Sequence, residues 1–189
     1  MVILGIRFRY KVFFSSLLTL HLSLFLAGCA PATRVSMAPD FNPSPEQEVI
    51  YVLPFVNTLV PETFAETVFN GFVDTLNDSR ARTGGKWFLI IKDEPKDVDS
   101  AWLAKHLYIS GEVWGYIENS GCCATELRVK SKIFFHKPGQ NEPSLEISVP
   151  MESFFEHDRS TLEDERDRLA KRLTRELADQ LIKALATSS

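Results

Sequence analysis

The fold is decided by a run of alternating residues, Tyr108-Ile-Ser-Gly-Glu-Val-Trp-Gly-Tyr-Ile-Glu118. Its odd positions are apolar or glycine, whereas its even positions carry polar and large aromatic side chains. Two further runs, 127–135 and 145–151, alternate in the same way. Because successive side chains of a strand point to opposite faces, each run predicts a strand with one buried face. Turn-forming residues at 119–121 and 138–141 join the three strands into an antiparallel meander.

The segments before and after this meander supply the other elements of the predicted domain. Continuous apolar runs indicate buried strands, and apolar residues at helical spacing indicate amphipathic helices. Pro54 removes one ladder donor, so strand pairing should end or bulge there. The motif Ser160-Thr-Leu-Glu163 is typical of a capping box at a helix start. The predicted elements are strands 49–56 and 87–91 and helices 61–77, 98–106 and 162–185.

The resulting order, β-α-β-α-β-β-β-α, predicts an α+β fold. We expect a two-layer sandwich, in which a mixed sheet of about five strands carries the helices on one face. The single domain is expected to cover residues 48–189.

The N-terminus is predicted to be an export signal. Three basic residues precede the apolar run 12–26, which is too short to span a bilayer comfortably and is followed by small residues. The closing Leu26-Ala-Gly-Cys29 resembles the bacterial lipobox. That resemblance implies cleavage between Gly28 and Cys29 and lipidation of Cys29, so residues 1–28 would be removed. An ordinary signal peptide or a single transmembrane anchor is the alternative.

The segment 29–47 is predicted to be a lipidated N-terminus and a tether, because it holds four of the ten prolines. No aspartate follows Cys29, since the next residue is Ala30. By analogy with bacterial lipoprotein sorting, this favours the outer membrane, with the domain facing the periplasm. The lipid anchor makes the membrane an expected partner.

The charge of the chain argues against one class of partner. Of the 189 residues, 25 are acidic and 21 basic, and three of the basic residues lie within 1–28. Removing that segment lowers the formal charge from -4 to -7. Nucleic-acid binding depends on basic residues that neutralise phosphates, so we expect no nucleic-acid partner.

Two stretches support a family resemblance, namely Val52-Leu-Pro-Phe-Val-Asn57 and Tyr108-Ile-Ser-Gly-Glu-Val-Trp-Gly-Tyr116. With an amphipathic helix between them, they resemble the α/β domain of several envelope proteins. These are the curli secretion lipoprotein CsgG, the lipoprotein activators of penicillin-binding proteins, and the N-terminal domain of TolB. The resemblance covers roughly residues 48–186 and implies binding and assembly rather than catalysis. It provides no catalytic residues.

The sequence contains few residue patterns that are typical of catalysis or cofactor binding. No glycine-rich phosphate loop, nucleophile elbow or His-Glu-x-x-His motif occurs, so we expect neither an enzyme nor a cofactor. Cys122 and Cys123 are a possible redox pair. They could be two free thiols in a turn, a strained vicinal disulfide or an intermolecular disulfide. A metal site would need a distant histidine as well, because no second cysteine pair completes a ligand set, so no metal site is predicted.

The candidate partner-binding face is the polar side of the meander. If the odd positions of the first strand face the helices, one uncovered face carries aromatic and basic side chains, which are enriched at binding hot spots. Alternatively, Glu112, Glu146 and Glu152 neutralise the basic residues across the strands. The predicted face consists of Trp114, Tyr116, Arg128, Lys130 and Lys132.

The sequence therefore predicts a membrane-anchored envelope lipoprotein that acts as a non-catalytic binding or accessory factor in envelope assembly. Its expected partner is another envelope protein. The alternative is an oligomeric component of a secretion or transport apparatus. An enzyme of cell-wall metabolism is a third hypothesis.

Overall fold

The computed structural model describes residues 32–43, 46–140 and 142–187. The predicted cleavage position after Gly28 and the predicted lipidation site Cys29 lie outside the described residues. The strands of the described structure are β1 (Arg34–Met37), β2 (Val49–Val52), β3 (Val56–Asn57), β4 (Trp87–Ile90), β5 (Tyr108–Ser120), β6 (Ala124–His136) and β7 (Leu145–Glu156). Its helices are α1 (Glu62–Asp78), α2 (Ser100–Leu103) and α3 (Leu162–Thr187), with a 3₁₀ turn at Arg80–Arg82.

The strands form one mixed sheet, in the order β1-β7-β6-β5-β2-β4, with β3 beside β5. Strands β5, β6 and β7 are the predicted antiparallel meander, and β2 is parallel to β4 and to β5. The α+β class and the mixed sheet are confirmed. The prediction of about five strands and the element order derived from it are wrong, because the described residues form a sheet of seven strands and the prediction lacks both β1 and β3.

The sequence does not predict β1 and β3 as separate strands, for two different physical reasons. The predicted strand 49–56 is split into β2 and β3, and the interruption includes Pro54, as its missing donor predicted. Strand β1 lies inside the segment 29–47 that was expected to be a tether. It pairs with β7 over all four of its residues, and the globular unit begins at Thr33 rather than at residue 48.

The long helices α1 and α3 pack together on one face of the sheet. Gly71 in α1 allows this close approach, because a Cβ there would lie 3.0 Å from Cγ2 of Thr174 in α3. On the sheet, Gly111 leaves room for the ring of Phe55, which fills the space where a Cβ would otherwise lie. Fully buried core side chains include Ile50, Val52, Phe72, Leu76, Phe88, Ile109, Leu127, Ile133, Phe135, Ile147, Leu169, Leu173, Leu177 and Leu181.

The short helix α2 departs from the prediction that all helices lie on one face. Ile50 and Val52 of β2 point into the core, so Tyr51 between them points to the other side of the sheet. Trp102 of α2 packs edge-on against Tyr51, with ring centroids 4.7 Å apart. Helix α2 therefore lies on the side opposite α1 and α3.

The start of α3 is capped one residue later than the sequence suggested. The Thr161 hydroxyl accepts a hydrogen bond from the backbone N–H of Asp164 at 3.1 Å and donates one to its carboxylate at 2.7 Å. The capping pair is thus Thr161 and Asp164 instead of Ser160 and Glu163. In the part of the chain that the structure describes, no helix has both the length and the apolar character needed to cross a bilayer.

Candidate partner-binding face

The side of the sheet opposite α1 and α3 is called the open face below. Strand pairing places Trp114 of β5 next to Lys130 of β6, and Lys130 next to Pro150 of β7. Lys132 and Arg128 lie two residues away from Lys130 in either direction along β6, and therefore on the same face. Four of the five residues predicted for this face, Trp114, Arg128, Lys130 and Lys132, thus lie together on it.

Tyr116 is the exception, because the alternation of β5 changes at a β-bulge. The pairing register shifts between Trp114 and Ile117, and Gly115 in the bulge has a φ of 62°, a conformation that favours glycine. Because of the extra residue, each side chain after the bulge points to the opposite face of the sheet from the one that simple alternation predicts. The prediction that Tyr116 shares a face with Trp114 is therefore wrong.

Instead, Tyr116 belongs to the interface between the sheet and the helices. Its ring packs against Phe64 of α1 at 5.3 Å between centroids, and Nε of Arg166 in α3 donates to its hydroxyl at 3.1 Å. The guanidinium of Arg166 also pairs with Glu118. Burial raises the pKa of Tyr116, although the hydrogen bond from Arg166 opposes the shift. Tyr116 therefore supports the fold and is not available to a partner on the open face.

The bulge brings Ile117 to the open face in place of Tyr116. Ile117 pairs with Arg128 and is 52% exposed. Phe154 of β7 is 69% exposed and lies further along the same face, because alternation continues beyond Met151, where the predicted strand ended. The sequence carried signals for both residues: a glycine inside a strand pattern often marks a bulge, and the alternation of β7 extends to Glu156.

The cations of the open face differ in their partners. Nη2 of Arg128 lies 2.6 Å from Oε1 of Glu126, and Nζ of Lys132 lies 2.9 Å from Oε1 of Glu146. Of the three neutralising carboxylates considered in the sequence, only Glu146 takes that role. Within the described residues Lys130 has no carboxylate partner, and its aliphatic stem lies over Gly115.

The end of the open face beside α2 is filled by stacked rings. Tyr108 and His136 stack at 4.3 Å between centroids, and Trp102 stacks on His106 at 4.0 Å. Nε2 of His136 lies 3.0 Å from the Ser110 hydroxyl, while its Nδ1 is buried without a partner. Burial lowers the pKa of His136 from 6.5 to about 4, so the imidazole is neutral at physiological pH. This end is a packed cluster, which leaves the region around Trp114 and Lys130 as the accessible part.

The two remaining thiols lie at the tip of the β5–β6 hairpin, where Cys122 and Cys123 are both free and exposed. Their Sγ atoms are 3.0 Å apart. Hydrogen bonds fix the tip, since Gly121 donates to the Ala124 carbonyl at 2.8 Å and His157 donates to the Cys123 carbonyl at 2.9 Å. Among residues 32–43, 46–140 and 142–187, no group of three or more metal-ligating side chains comes together.

The helix side of the sheet holds a buried carboxylate near the end of β7. Glu165 of α3 accepts a hydrogen bond from Ser153 at 3.2 Å and pairs with Arg168 at 2.6 Å. Burial alone would raise the pKa of Glu165, but hydrogen bonds from Ser160, Ser153 and Arg168 lower it below its ordinary value. Glu165 is therefore held as a carboxylate by Ser153 and Arg168, as in a structural ion pair.

The fold of this chain is similar to the folds of solved protein structures. No family model and no curated protein matches the sequence. Among solved structures, the chain is similar to the PelC dodecamer from Paraburkholderia phytofirmans, with 16% identity over 79% of this chain and 98% of that chain and a TM-score of 0.51. It is also similar to the hypothetical protein CT253 from Chlamydia trachomatis, with 13% identity over 75% of this chain and 99% of that one, and a TM-score of 0.45.

A third similar structure is lipoprotein GNA1162 from Neisseria meningitidis, with 11% identity, coverage of 71% and 98%, and a TM-score of 0.44. The likeness to PelC shows that the two chains share a fold. None of these three structures is CsgG, a penicillin-binding-protein activator or TolB, so that resemblance stays a prediction.

Proposed function

We propose that this protein is a non-catalytic lipoprotein of the bacterial envelope that is anchored in the outer membrane through Cys29, faces the periplasm and binds another envelope protein through its open face. The lipobox-like sequence Leu26-Ala-Gly-Cys29 supports the anchor. The resemblance to envelope binding and assembly domains supports an accessory role.

One observation carries the binding role: Lys130 lies beside Trp114 on a sheet face that α1 and α3 leave uncovered, and no carboxylate in the described residues neutralises it. Ile117 and Phe154 add exposed apolar surface on the same face. An aromatic anchor with a cation available for a new ion pair is typical of an interface hot spot. The best-fitting partner therefore offers an apolar surface with a carboxylate that reaches Lys130.

Trp114→Ala and Lys130→Glu test the face by co-purification from detergent-solubilised envelopes. We expect each variant to recover at least about tenfold less of the partner, corresponding to the loss of about 1.4 kcal/mol of binding free energy. Lys183→Glu is the matched control for Lys130→Glu, because Lys183 is exposed on α3 and therefore lies on the other side of the sheet from the open face. Equal recovery of every co-purifying protein by all three variants would remove the open face from consideration.

The anchor is tested separately by replacing Cys29 with Ala. We expect the substituted protein to leave the membrane fraction, because a thiol is required for the lipid linkage. A substituted protein that still sediments with membranes in high salt contradicts lipid anchoring.

A second candidate function is an oligomeric component of a secretion or transport apparatus. It is supported by the similarity to PelC, which was solved as a dodecamer, and by β1, a sheet edge whose outer side has no strand partner among the described residues. The native mass of the lipidated protein in detergent tests this role. A monomer across the concentration range of the experiment contradicts it.

A further inference from the structure

The distance between the predicted lipid and the first strand is short. Four residues lie between Cys29 and Arg34, and the structure ties the chain to the domain at the last of them, Thr33. There the Thr33 hydroxyl donates to Oε1 of Glu176 in α3 at 3.0 Å. Since a fully extended chain spans at most about 3.5 Å per residue, the four steps from Cys29 to Thr33 cover no more than about 14 Å.

That limit decides which part of the domain lies near the membrane. A lipid on Cys29 holds its own residue in the headgroup region, so Thr33 must lie within about 14 Å of it. The other end of the sheet is much farther away, because five strand spacings of about 4.8 Å place β4 about 24 Å beyond β1. The part of the domain that holds Thr33 and β1 is therefore the part closest to the lipid on Cys29.

The side chains of the β1 edge suit such a surface. Val35 and Met37 are 44% and 42% exposed although they are apolar. Arg34 is exposed and has no carboxylate partner within the described residues. Arg172 lies one helical turn before Glu176 on the same flank of α3 and is also exposed. Apolar side chains next to cationic ones are the combination found at the boundary between headgroups and acyl chains.

We propose that the β1 edge, Arg34, Val35 and Met37, rests against the phospholipid headgroups of the membrane that holds Cys29, so that the sheet stands edge-on to the bilayer. This inference rests on the lipid anchor proposed above. The acidic domain as a whole is not attracted to anionic headgroups. The short covalent link instead keeps the edge at a high effective concentration next to the surface.

This orientation leaves the open face accessible. With the sheet edge-on, the open face and the helix face both run along the membrane normal, and neither is covered by the bilayer. Trp114 and Lys130 then face sideways, toward a neighbouring protein anchored in the same membrane.

The test measures the distance of two matched positions from the headgroups. Cys122 and Cys123 are first replaced by Ser. A new cysteine, either Val35→Cys or Leu89→Cys, is then introduced into the lipidated protein and labelled with a fluorophore. Leu89 is a matched control, because it is 46% exposed on the opposite edge of the same sheet. The protein is reconstituted into vesicles of phosphatidylethanolamine and phosphatidylglycerol that contain headgroup-linked nitroxide quenchers. We expect quenching at position 35 to be several times stronger than at position 89.

The outcomes separate the orientation from the anchor. Protein that floats with the vesicles but shows equal quenching at both positions, or none at position 35, overturns the edge-on orientation and leaves the anchor standing. Protein that does not float contradicts the lipid anchor and overturns the orientation with it. Met37→Cys is a second reporter on the same edge in case Val35→Cys does not fold, and circular dichroism checks each variant.

Discussion

The side chain of Asn77 in α1 forms two hydrogen bonds with the backbone of Phe88 in the edge strand β4: Nδ2 donates to the Phe88 carbonyl and Oδ1 accepts from the Phe88 N–H, both at 3.0 Å. The N–H groups of Trp87 and Ile91 donate toward β2, so the Phe88 N–H points away from the sheet. Asn77 therefore occupies the place of one residue of a further strand. Since unpaired edges are templates for association with other chains, this amide protects β4.

Replacing Asn77 with Ala leaves the outer N–H and C=O of Phe88 without protein partners. We expect the free energy of unfolding to fall by about 1–2 kcal/mol and the protein to self-associate as its concentration rises, because β4 also exposes Trp87, Leu89 and Ile90. Urea denaturation and sedimentation measure the two effects. Asn70→Ala is the control, since Asn70 is exposed on the same helix. A variant at position 77 that behaves like this control contradicts the protective role.

Gly111→Ala should destabilise the domain by steric overlap. The new Cβ would lie 2.7 Å from two atoms of the Phe55 ring, and overpacking of this kind costs about 1–3 kcal/mol. We expect the smaller side chain of Phe55→Leu to reduce this cost in the double variant, as measured by urea denaturation.

Gly115→Ala provides the contrast for that experiment. Its Cβ would lie 3.6 Å from the nearest Lys130 atom, so its cost of about 1 kcal/mol comes from the positive φ and not from contact. Phe55→Leu should leave this cost unchanged. Equal relief at both glycines would show that the Phe55 contact does not explain the requirement for Gly111.

The stability of the domain should decrease on acidification through His136. Burial lowers the pKa of His136 to about 4 in the folded state, against 6.5 when it is exposed. The unfolded chain therefore binds more protons between these values, so the full stability is present above about pH 6.5 and is lost as the pH falls toward 4. We expect a loss of about 1–2 kcal/mol, allowing for partial solvent contact.

Urea denaturation at a series of pH values measures this loss. His136→Phe keeps a ring that can stack on Tyr108 but cannot be protonated. The variant should retain more of its stability between pH 6.5 and 4 than the wild type does. Parallel pH profiles for the two proteins would exclude His136 as the source of the acid sensitivity.

The thiols of the hairpin tip should influence each other's reactivity. The hydrogen bond with Cys122 raises the pKa of Cys123, which lowers its thiolate fraction near pH 8. Cys122→Ala removes this hydrogen bond, so alkylation of Cys123 should become a few times faster. Cys122→Ser keeps a hydroxyl in the same place and should behave more like the wild type. If alkylation of Cys123 is equally fast in both variants, the hydrogen bond does not control its reactivity.

The sequence was most informative where side-chain periodicity is maintained over many residues. The strict alternation around Ile133 and Ile147 predicted β6 and β7, and the stripe from Leu169 to Leu181 predicted α3, because a buried face requires such a pattern. The short strand β1 lacks this signal. Its four residues show no burial pattern and lie among prolines, and only pairing with β7, more than 100 residues away, makes them a strand.

The open face shows within a single strand that pairing with another strand, which the local pattern does not reveal, can decide where a side chain points. Counting positions along β5 placed Trp114 and Tyr116 together, since both are even-numbered. The bulge at Gly115 adds one residue and reverses the alternation after it, so Tyr116 packs against Phe64 of α1 and Ile117 takes its place on the open face. Whether a strand glycine bulges depends on its partner strand, which local sequence does not specify.

The pairing of β1 with β7 also constrains the order in which the sheet can form. If the chain crosses the membrane from its N-terminus, β1 emerges first, but its only strand partner in the described structure is β7, near the other end of the domain. The sheet therefore cannot take up its first strand until nearly the whole chain has been translocated. During that interval β1 stays undocked, and the proposed lipidation site remains within reach of processing enzymes until the last strand closes the sheet.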